Sequence, residues 1–454
     1  MVEQFPYGKA PFWLLCVALL SSLLLFVTRK QAAEARPDLT MATFATQHYA
    51  AYKRVLPEFE RQHRVKISLQ LVDARALETR LQNAMLAGTD VPDIVELNDG
   101  SMGFFTRGPL KDVGFLDLTE RVEREGIRSR VVESRFSKWQ SRGRVFAVPH
   151  DVHPVMLMYR ADLVEALGID VAQLDTWDKF AEAGQKVRFD LDGDGVIDRY
   201  MIDLPLGGHF GFQVMMMQQG LWLFGPNGEI TFNDPKTVDT MIWYLRHTHG
   251  PRRIAVECGW GQSLMKAMTD GLALFFIAPD WRTYTTQEDL PNLKGKWKVM
   301  PLPAWQKGGR RTSVWGGTGL AISRQTKQPD LAWELAKFLY FTPSELGRRF
   351  SETLILPPFK DAWNLPEFQA PQPYFSGQKL GAEYAKLAPD TPPSWDSPYS
   401  RTGENKMSEV FLRAIAHYEQ HGEQGLREVI ERELGDAAAY IQRLRDRNVL
   451  ARAN

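Results

Sequence analysis

Apolar positions change their spacing along this chain in a regular order. Residues 11–27 form an uncharged run of 17, close to the roughly 17–25 residues that a membrane-spanning helix requires. Residues 39–44 then read as a short strand, and Tyr52, Val55, Leu56 and Phe59 fall at i, i+3, i+4 and i+7, the spacing of a helix with one buried face. Val65, Ile67, Leu69 and Leu71 alternate with polar neighbours, as a strand does. Leu77, Leu81, Ala84 and Met85 make a second helical stripe, closed by Gly88, and residues 92–97 make a third strand. This order of strand, helix, strand, helix, strand predicts a parallel sheet with right-handed crossovers. Pro57 interrupts the first helix, because a proline there removes a hydrogen bond and crowds the preceding turn. The pattern therefore predicts either a kink or a regular helix that begins near Leu56. Near the C-terminal end, Leu426, Val429, Ile430, Leu434, Ala438, Ile441 and Leu444 predict a long amphipathic helix packed on the body of the protein.

The first apolar run bears on the compartment. It reads as an uncleaved anchor or as the core of a long signal peptide. Ala33-Glu34-Ala35 offers the small residues of a cleavage site, but Arg29 and Lys30 stand between it and the run, which favours the anchor. Cys16 follows Trp13-Leu14-Leu15 rather than the small residue of a lipidation site, so it is not read as one. Lys9 precedes the run while Arg29, Lys30 and Arg36 follow it, a bias that alone would keep the bulk of the chain in the cytoplasm. Cys258 is the sole cysteine beyond the run, so an internal disulfide in the body is excluded. A chain of 454 residues exceeds what one core usually sustains, which predicts two lobes. Its 55 basic and 55 acidic residues cancel, and the absence of a basic excess argues against nucleic acid as a partner. Aromatic residues reach 11%, enough for some rings to face a ligand rather than the core.

In an open parallel sheet the ligand sits beyond the carboxyl ends of the strands. Three loops qualify, at 45–49, 72–75 and 98–102. The first carries Gln47, His48 and Tyr49, and the third carries Asn98, Asp99 and Gly100. Amides, a carboxylate, an imidazole and a phenol suit a hydroxyl-rich ligand, since each is a directional donor or acceptor. A plainer reading makes Asn98-Asp99-Gly100 a turn and Gln47 a helix cap.

Residues 143–161, GRVFAVPHDVHPVMLMYRA, with Leu167-Gly168-Ile169-Asp170 and Asp175-Thr176-Trp177-Asp178-Lys179-Phe180 after them, resemble the signature of family 1 extracellular solute-binding proteins. These are the maltose-binding-like components of ABC importers. Ala87-Gly88-Thr89-Asp90-Val91-Pro92-Asp93-Ile94, the stretch 267–281 and Trp315-Gly316-Gly317-Thr318-Gly319-Leu320-Ala321-Ile322 match further family patterns in register, over about residues 39–350. The resemblance implies an α/β, two-lobe periplasmic-binding-protein-like fold (type II) with hinge crossings near 149–153, 278–282 and 340–350. The corresponding division is 1–37 as the anchor or signal segment, 38–150 plus 281–345 as the first α/β lobe, and 151–280 plus 346–454 as the second. It also implies a binding protein rather than an enzyme, with no required cofactor. The partners would be a small-molecule carbohydrate, ABC permease subunits and, through the first segment, the membrane. Extracytoplasmic placement follows, against the charge bias. The family's usual Asn after Tyr159 is Arg160 here, and the run after Pro149 carries His150 and His153. His150 and Asp151 are expected at the cleft, and Asp280, Trp281 and Arg282 at the second crossing.

Other candidate groups come from the residues themselves. Trp222, Trp260, Trp281, Trp315 and Trp395 lie beside turn signals or glycines, where a ring can stand open to stack on a sugar, whereas Trp243 and Trp333 sit in helical stripes. Trp315-Gly316 and the isolated His209 after Gly207-Gly208 are further candidates for the cleft. Asp190, Asp192, Asp194, Val196 and Asp198 occupy loop positions one, three, five, seven and nine of a calcium loop, but Met201 replaces the bidentate acid at position twelve. Two readings stand: a structural Ca²⁺ site, or a metal-free turn whose aspartates cap their own backbone. The histidine spacings do not match a helical zinc pair, and neither a nucleophile elbow nor a dinucleotide fingerprint is present. A carbohydrate-active hydrolase would need paired carboxylates across a scissile bond, and the sequence pairs none. A ligand-binding partner of a membrane sensor remains as the alternative to import, and an anionic ligand remains open through His48, His150, Arg160 and Arg282.

Overall fold

The computed structural model describes residues 9–34, 37–190 and 192–448, with the backbone alone given for 26–34. In chain order the strands are β1 (Leu39–Thr43), β2 (Ile67–Leu71), β3 (Ile94–Asn98), β4 (Gln140–Ser141), β5 (Arg144–Val145), β6 (Ala147–Pro149), β7 (Met156–Arg160), β8 (Tyr200–Asp203), β9 (Ala255–Val256), β10 (Ala273–Ala278), β11 (Trp297–Pro301) and β12 (Thr318–Ile322). They form two five-stranded sheets, ordered β2-β1-β3-β12-β6 and β11-β7-β10-β8-β9, with β4 and β5 as a small hairpin. β1 pairs in parallel with β2 and β3 as the alternation requires, and β12 closes the sheet antiparallel to β3 and β6.

The helix between β1 and β2 runs unbroken from Thr46 to His63 with Pro57 inside it, so the regular helix does not begin near Leu56. Pro57 lies on the solvent face beside the exposed Lys53, and water can serve the carbonyl that loses its partner. Tyr52, Val55, Leu56 and Phe59 point inward as their spacing requires. Gly88 caps the helix Ala74–Ala87 at φ 66, a left-handed conformation that glycine adopts without penalty.

Three apolar cores hold the sheets. One lies on the face of the first sheet formed by Ala42, Val95 and Ala321, against Leu81, Phe115 and Trp139. A second covers one face of the second sheet, where Ile202 and Phe275 meet Trp177, Phe212 and Tyr244, and the C-terminal helix Leu426–Arg447 adds Ile430, Leu434 and Ile441. The largest joins the lobes: Met41 and Ile94 on the first sheet and Trp333 on the helix Pro329–Phe341 share one cluster with Met158, Phe276 and Trp297 on the second sheet, together with Leu356, Phe359 and Tyr384.

The expected division of the chain needs correction. After β10 the helix Asp280–Asp289 leads to β11, which pairs antiparallel with β7 in the second sheet. Residues 278–282 are therefore not a passage between sheets, and the chain returns to the first sheet only between Pro301 and Thr318. The other links between the lobes run between Pro149 and Met156 and past Leu354 to Leu356, beyond the 340–350 expected. Backbone hydrogen bonds bind the links together: Val155 donates to Ser313 O at 3.1 Å, His150 to Thr318 O at 2.9 Å and Val152 to Leu356 O at 3.0 Å.

The first apolar run forms the helix Ala10–Glu34, whose Leu14 and Leu20 are 70% and 66% exposed. Among the described residues no helix is long and apolar enough to cross a membrane. The side chains after Leu25, Arg29, Lys30 and the Ala33-Glu34-Ala35 site included, lie outside those described.

Candidate ligand-binding cleft

A cavity of about 460 Å³ opens where the links meet. The carboxyl end of β1 leads into the first turn of the helix Thr46–His63, which brings Gln47 and His48 to its wall, and the end of β3 brings Asn98, Asp99 and Gly100. The loop at 72–75 does not reach it, because β2 is the edge strand and β1 and β3 stand between it and β12. Trp222, Trp281, Trp315 and Trp395 supply rings, with Trp281 Nε1 donating to Trp315 O at 3.3 Å. Gly316 also lines the wall at φ 89, its missing Cβ position 3.5 Å from the rings of His153 and Trp281. A side chain there would be strained and would crowd both rings.

Other candidates lie behind the wall. His150 and Asp151 are 1% exposed and Asp280 is fully buried; none lines the cavity, contrary to expectation. They form a hinge cluster. Asp151 Oδ2 takes the backbone N–H of Thr318 at 3.0 Å and meets His153 Nε2 at 3.2 Å, while His153 Nδ1 meets Asp280 Oδ1 at 2.5 Å. Asp280 Oδ2 accepts from Leu356 N at 2.8 Å, so one carboxylate–imidazole–carboxylate chain touches all three links. His153, at φ 55, holds a backbone conformation that side chains other than glycine adopt at a cost. Burial opposes its charge, yet Asp151 and Asp280 carry its pKa up to about 9. Burial likewise works against Asp151, but charged His153 and two imidazole contacts hold its carboxyl well below the usual range.

A second buried group lies between this cluster and the first lobe. Glu96 accepts from Thr43, Tyr52 and Tyr340 and meets His48 Nδ1 at 3.0 Å. The His150 ring lies tilted against that of His48 with centroids 3.9 Å apart, and burial followed by the neighbouring charges of His48 and Arg349 lowers its pKa to about 3. Donor atoms of His48, Glu96 and His150 can stand within 4.8 Å of one another, a grouping that spacing along the chain does not reveal.

Arg282 and His209 also miss the wall. Arg282 is 3% exposed, pairs with Asp203 at 3.3 Å and donates to Ile277 O at 2.8 Å. His209 faces Ser408 Oγ at 2.9 Å and stacks beside Trp222. Arg160 is bound to Asp162 at 2.7 Å and to Met268 O at 2.8 Å. The wall in turn contains residues that no motif signalled: Lys138, Gln213, Met217, Tyr284, Asp396 and Glu404. Lys138 Nζ sits 2.6 Å from Asp99 and 3.2 Å from Gly316 O. Burial, then the charges of Asp99 and Asp396, push Glu404 up to about 7.

At the aspartate loop, donor atoms of Asp190, Asp192 and Asp194 lie within 4.8 Å of one another, all exposed. Asp190 accepts from Gly193 N at 2.7 Å and Gly195 N at 2.8 Å, and Asp194 from Val196 N at 2.7 Å. With Asp192 also accepting from Asp194 N at 3.2 Å, these bonds satisfy the self-capping reading.

Two α/β lobes linked three times, with a polar and aromatic cavity at the links, define a two-lobed binding protein of the type II periplasmic class. The family model described as "Bacterial extracellular solute-binding protein" matches residues 45–344, and the chain belongs to that family. It is 25% identical over 413 residues to the arabinooligosaccharide-binding protein of Bacillus subtilis (strain 168), covering 88% of this chain and 93% of that one. It is 24% identical over 351 residues to the arabinooligosaccharide-binding protein of Halalkalibacterium halodurans, covering 75% and 76%. Among solved structures, the sugar-binding protein MalE from Xanthomonas citri superposes with a TM-score of 0.71 at 17% identity, covering 90% of this chain and 99% of that one.

Proposed function

We propose that the protein captures a neutral oligosaccharide between its lobes and delivers it to an ABC permease. The observation that carries this reading is the joining, in one cavity, of four tryptophans with carboxylates, amides and hydroxyls. Rings stack on the C–H face of a sugar while the polar groups take the hydroxyls at its rim. The charge of the wall favours a neutral ligand over a phosphate or uronate. Asp99, Asp396 and Glu404 line the cavity, Lys138 is spent on Asp99, the charged His153 on the wall is held between Asp151 and Asp280, and the guanidinium groups of Arg160 and Arg282 are engaged outside it. Arabinooligosaccharides are the first ligands to test, because both sequence relatives are named for them.

A thermal-shift screen tests the reading with arabinooligosaccharides, maltooligosaccharides, galactobiose and sugar phosphates. A bound ligand at 100 times its dissociation constant stabilises by about 2.7 kcal/mol. The expected result is a shift with neutral saccharides and none with phosphates; the reverse, or no shift at all, overturns it. Binding without chemistry predicts that the ligand is recovered intact after incubation.

Two further roles are part of this proposal. The helix Ala10–Glu34, with Leu14 and Leu20 exposed, tethers the lobes to the outer face of the cytoplasmic membrane, and the Asp190–Asp198 loop takes a structural calcium ion. Delivery to a permease, rather than to a sensor, is tested by sugar uptake in cells that lack the gene.

A further inference from the structure

The aromatic wall does not end at the cavity. Beyond Trp315, Phe210 stacks on its ring at 4.9 Å and an interplanar angle of 18°, and Trp260 stands 5.8 Å from Phe210 and 5.9 Å from Trp315. Neither Phe210 nor Trp260 lines the cavity. Trp260 is 53% exposed, which sets it apart from the core tryptophans Trp243 and Trp333 at 6% and 1%. An exposed indole of this kind is normally free to turn, but this one is held. The Arg282 guanidinium lies 5.3 Å from the Trp260 ring and 6.0 Å from that of Trp315, within the range of a cation–π contact. Arg282 is itself fixed by Asp203 and Ile277 O. Its charge thus lies within reach of both the Trp315 ring on the wall and the exposed Trp260 ring.

We propose that Trp260, positioned by Arg282 and continuous with the cavity through Phe210 and Trp315, is an outer stacking platform for the sugar units of an oligosaccharide that extend beyond the cavity. The occupant follows from continuity: a saccharide seated against Trp315 and extending past Phe210 meets Trp260 next. A ring held in place beforehand loses little freedom when a sugar stacks on it, so its contact area appears as affinity. The inference rests on the saccharide reading above and adds a length preference to it. Arg282 acts as a positioning residue, which accounts for a buried guanidinium next to the cleft that does not enter it.

Calorimetric titration of the full chain with arabino- or maltooligosaccharides of increasing length, whichever series binds, tests the platform. In the wild type, affinity should rise with length beyond the units the cavity holds. Trp260→Ala should leave the affinity for the shortest binding saccharide unchanged and lower that for the longest about tenfold, about 1.4 kcal/mol; Trp260→Tyr should restore most of the loss. A melting temperature equal to wild type confirms that the variant is folded. Equal losses for short and long ligands, or no loss for either, overturn the platform while leaving the saccharide reading intact. If Trp260→Ala abolishes uptake with every affinity unchanged, the surface serves the permease and the proposal is wrong. Failure of both series to bind the wild type overturns both.

Discussion

At the scale of single residues, two tryptophans separate binding from packing. Trp281 lines the cavity, so Trp281→Ala should weaken saccharide affinity by calorimetry with a small change in stability. Trp333 is 1% exposed within the joining core, and Trp333→Ala should cost roughly 3–5 kcal/mol in urea denaturation, as an emptied aromatic site does. If Trp281→Ala destabilises the fold and spares affinity, the ring belongs to the core. Glu404 presents the opposite balance. Its folded pKa of about 7 lies above the carboxylate reference of about 4.5, so ionisation disfavours folding, and that cost develops as pH rises from 4.5 through 7. Glu404→Gln should therefore raise stability at pH 8 by at most roughly 3 kcal/mol, with the gain gone below pH 4.5, while weakening ligand binding. A gain that is independent of pH would show that the carboxylate's charge is not the cause. Trp281 was legible because Asp280-Trp281-Arg282 combines a ring with polar neighbours. Glu404 was not, because it lies within a surface-like run of the helix Ser400–His421 and owes its place to how that helix is docked.

At the scale of elements, the hinge cluster sets how the links respond to pH. His153, raised to about 9, contributes stability that is full below its reference of 6.5 and is lost as pH rises through 9. His150, lowered to about 3, resists protonation, so stability is lost as pH falls below 6.5 toward 3. The melting temperature should therefore peak near pH 6.5, and His153→Gln should flatten its alkaline side. An alkaline limb of the same slope in that variant would remove His153 as its cause. The aspartate loop gives a separate test: chelation should lower the melting temperature by a few degrees, and Asp192→Ala should abolish the dependence. An unchanged melt on chelation leaves only the self-capped turn. The loop's carboxylate spacing was plain in the sequence. The hinge cluster was partly so: His150, Asp151, His153 and Asp280 drew notice, but as cleft residues, since adjacency along the chain does not reveal which side of a link faces solvent.

At the scale of the whole molecule, the two lobes share one core that includes Leu356, Phe359 and Tyr384, so the lobes should unfold together. One calorimetric transition is expected, with equal calorimetric and van't Hoff enthalpies; two resolved transitions would mean that the joining core is weak. Ligand should close the lobes about the links, lowering the radius of gyration in solution scattering, and identical curves with and without saturating saccharide would exclude hinge closure. Expressed in full, the chain should sediment with membranes and yield its lobes to protease added from outside the cytoplasmic membrane. Protection in intact spheroplasts would reverse the topology and side with the charges at Arg29, Lys30 and Arg36.

Periodicity made the elements legible because burial repeats on the scale of one turn or two residues. The alternating first unit, the stripe at Leu426–Ile441 and the core placement of Trp243 and Trp333 all follow from that local rule. The same rule could not place Pro57 in the middle of a continuous helix, since its cost depends on whether its face meets water. It could not place β11 in the second sheet, since strand order depends on which edge is open when the chain returns. The wall of the cleft was partly legible. Rings beside glycines and polar residues after strands drew notice, and β-sheet order then admitted the loops after β1 and β3 and excluded the one after β2. Lys138 reaches the same cavity from a segment hundreds of residues before Asp396 and Glu404. Their roles depend on burial and on one another's charge, quantities that exist only once the lobes have come together.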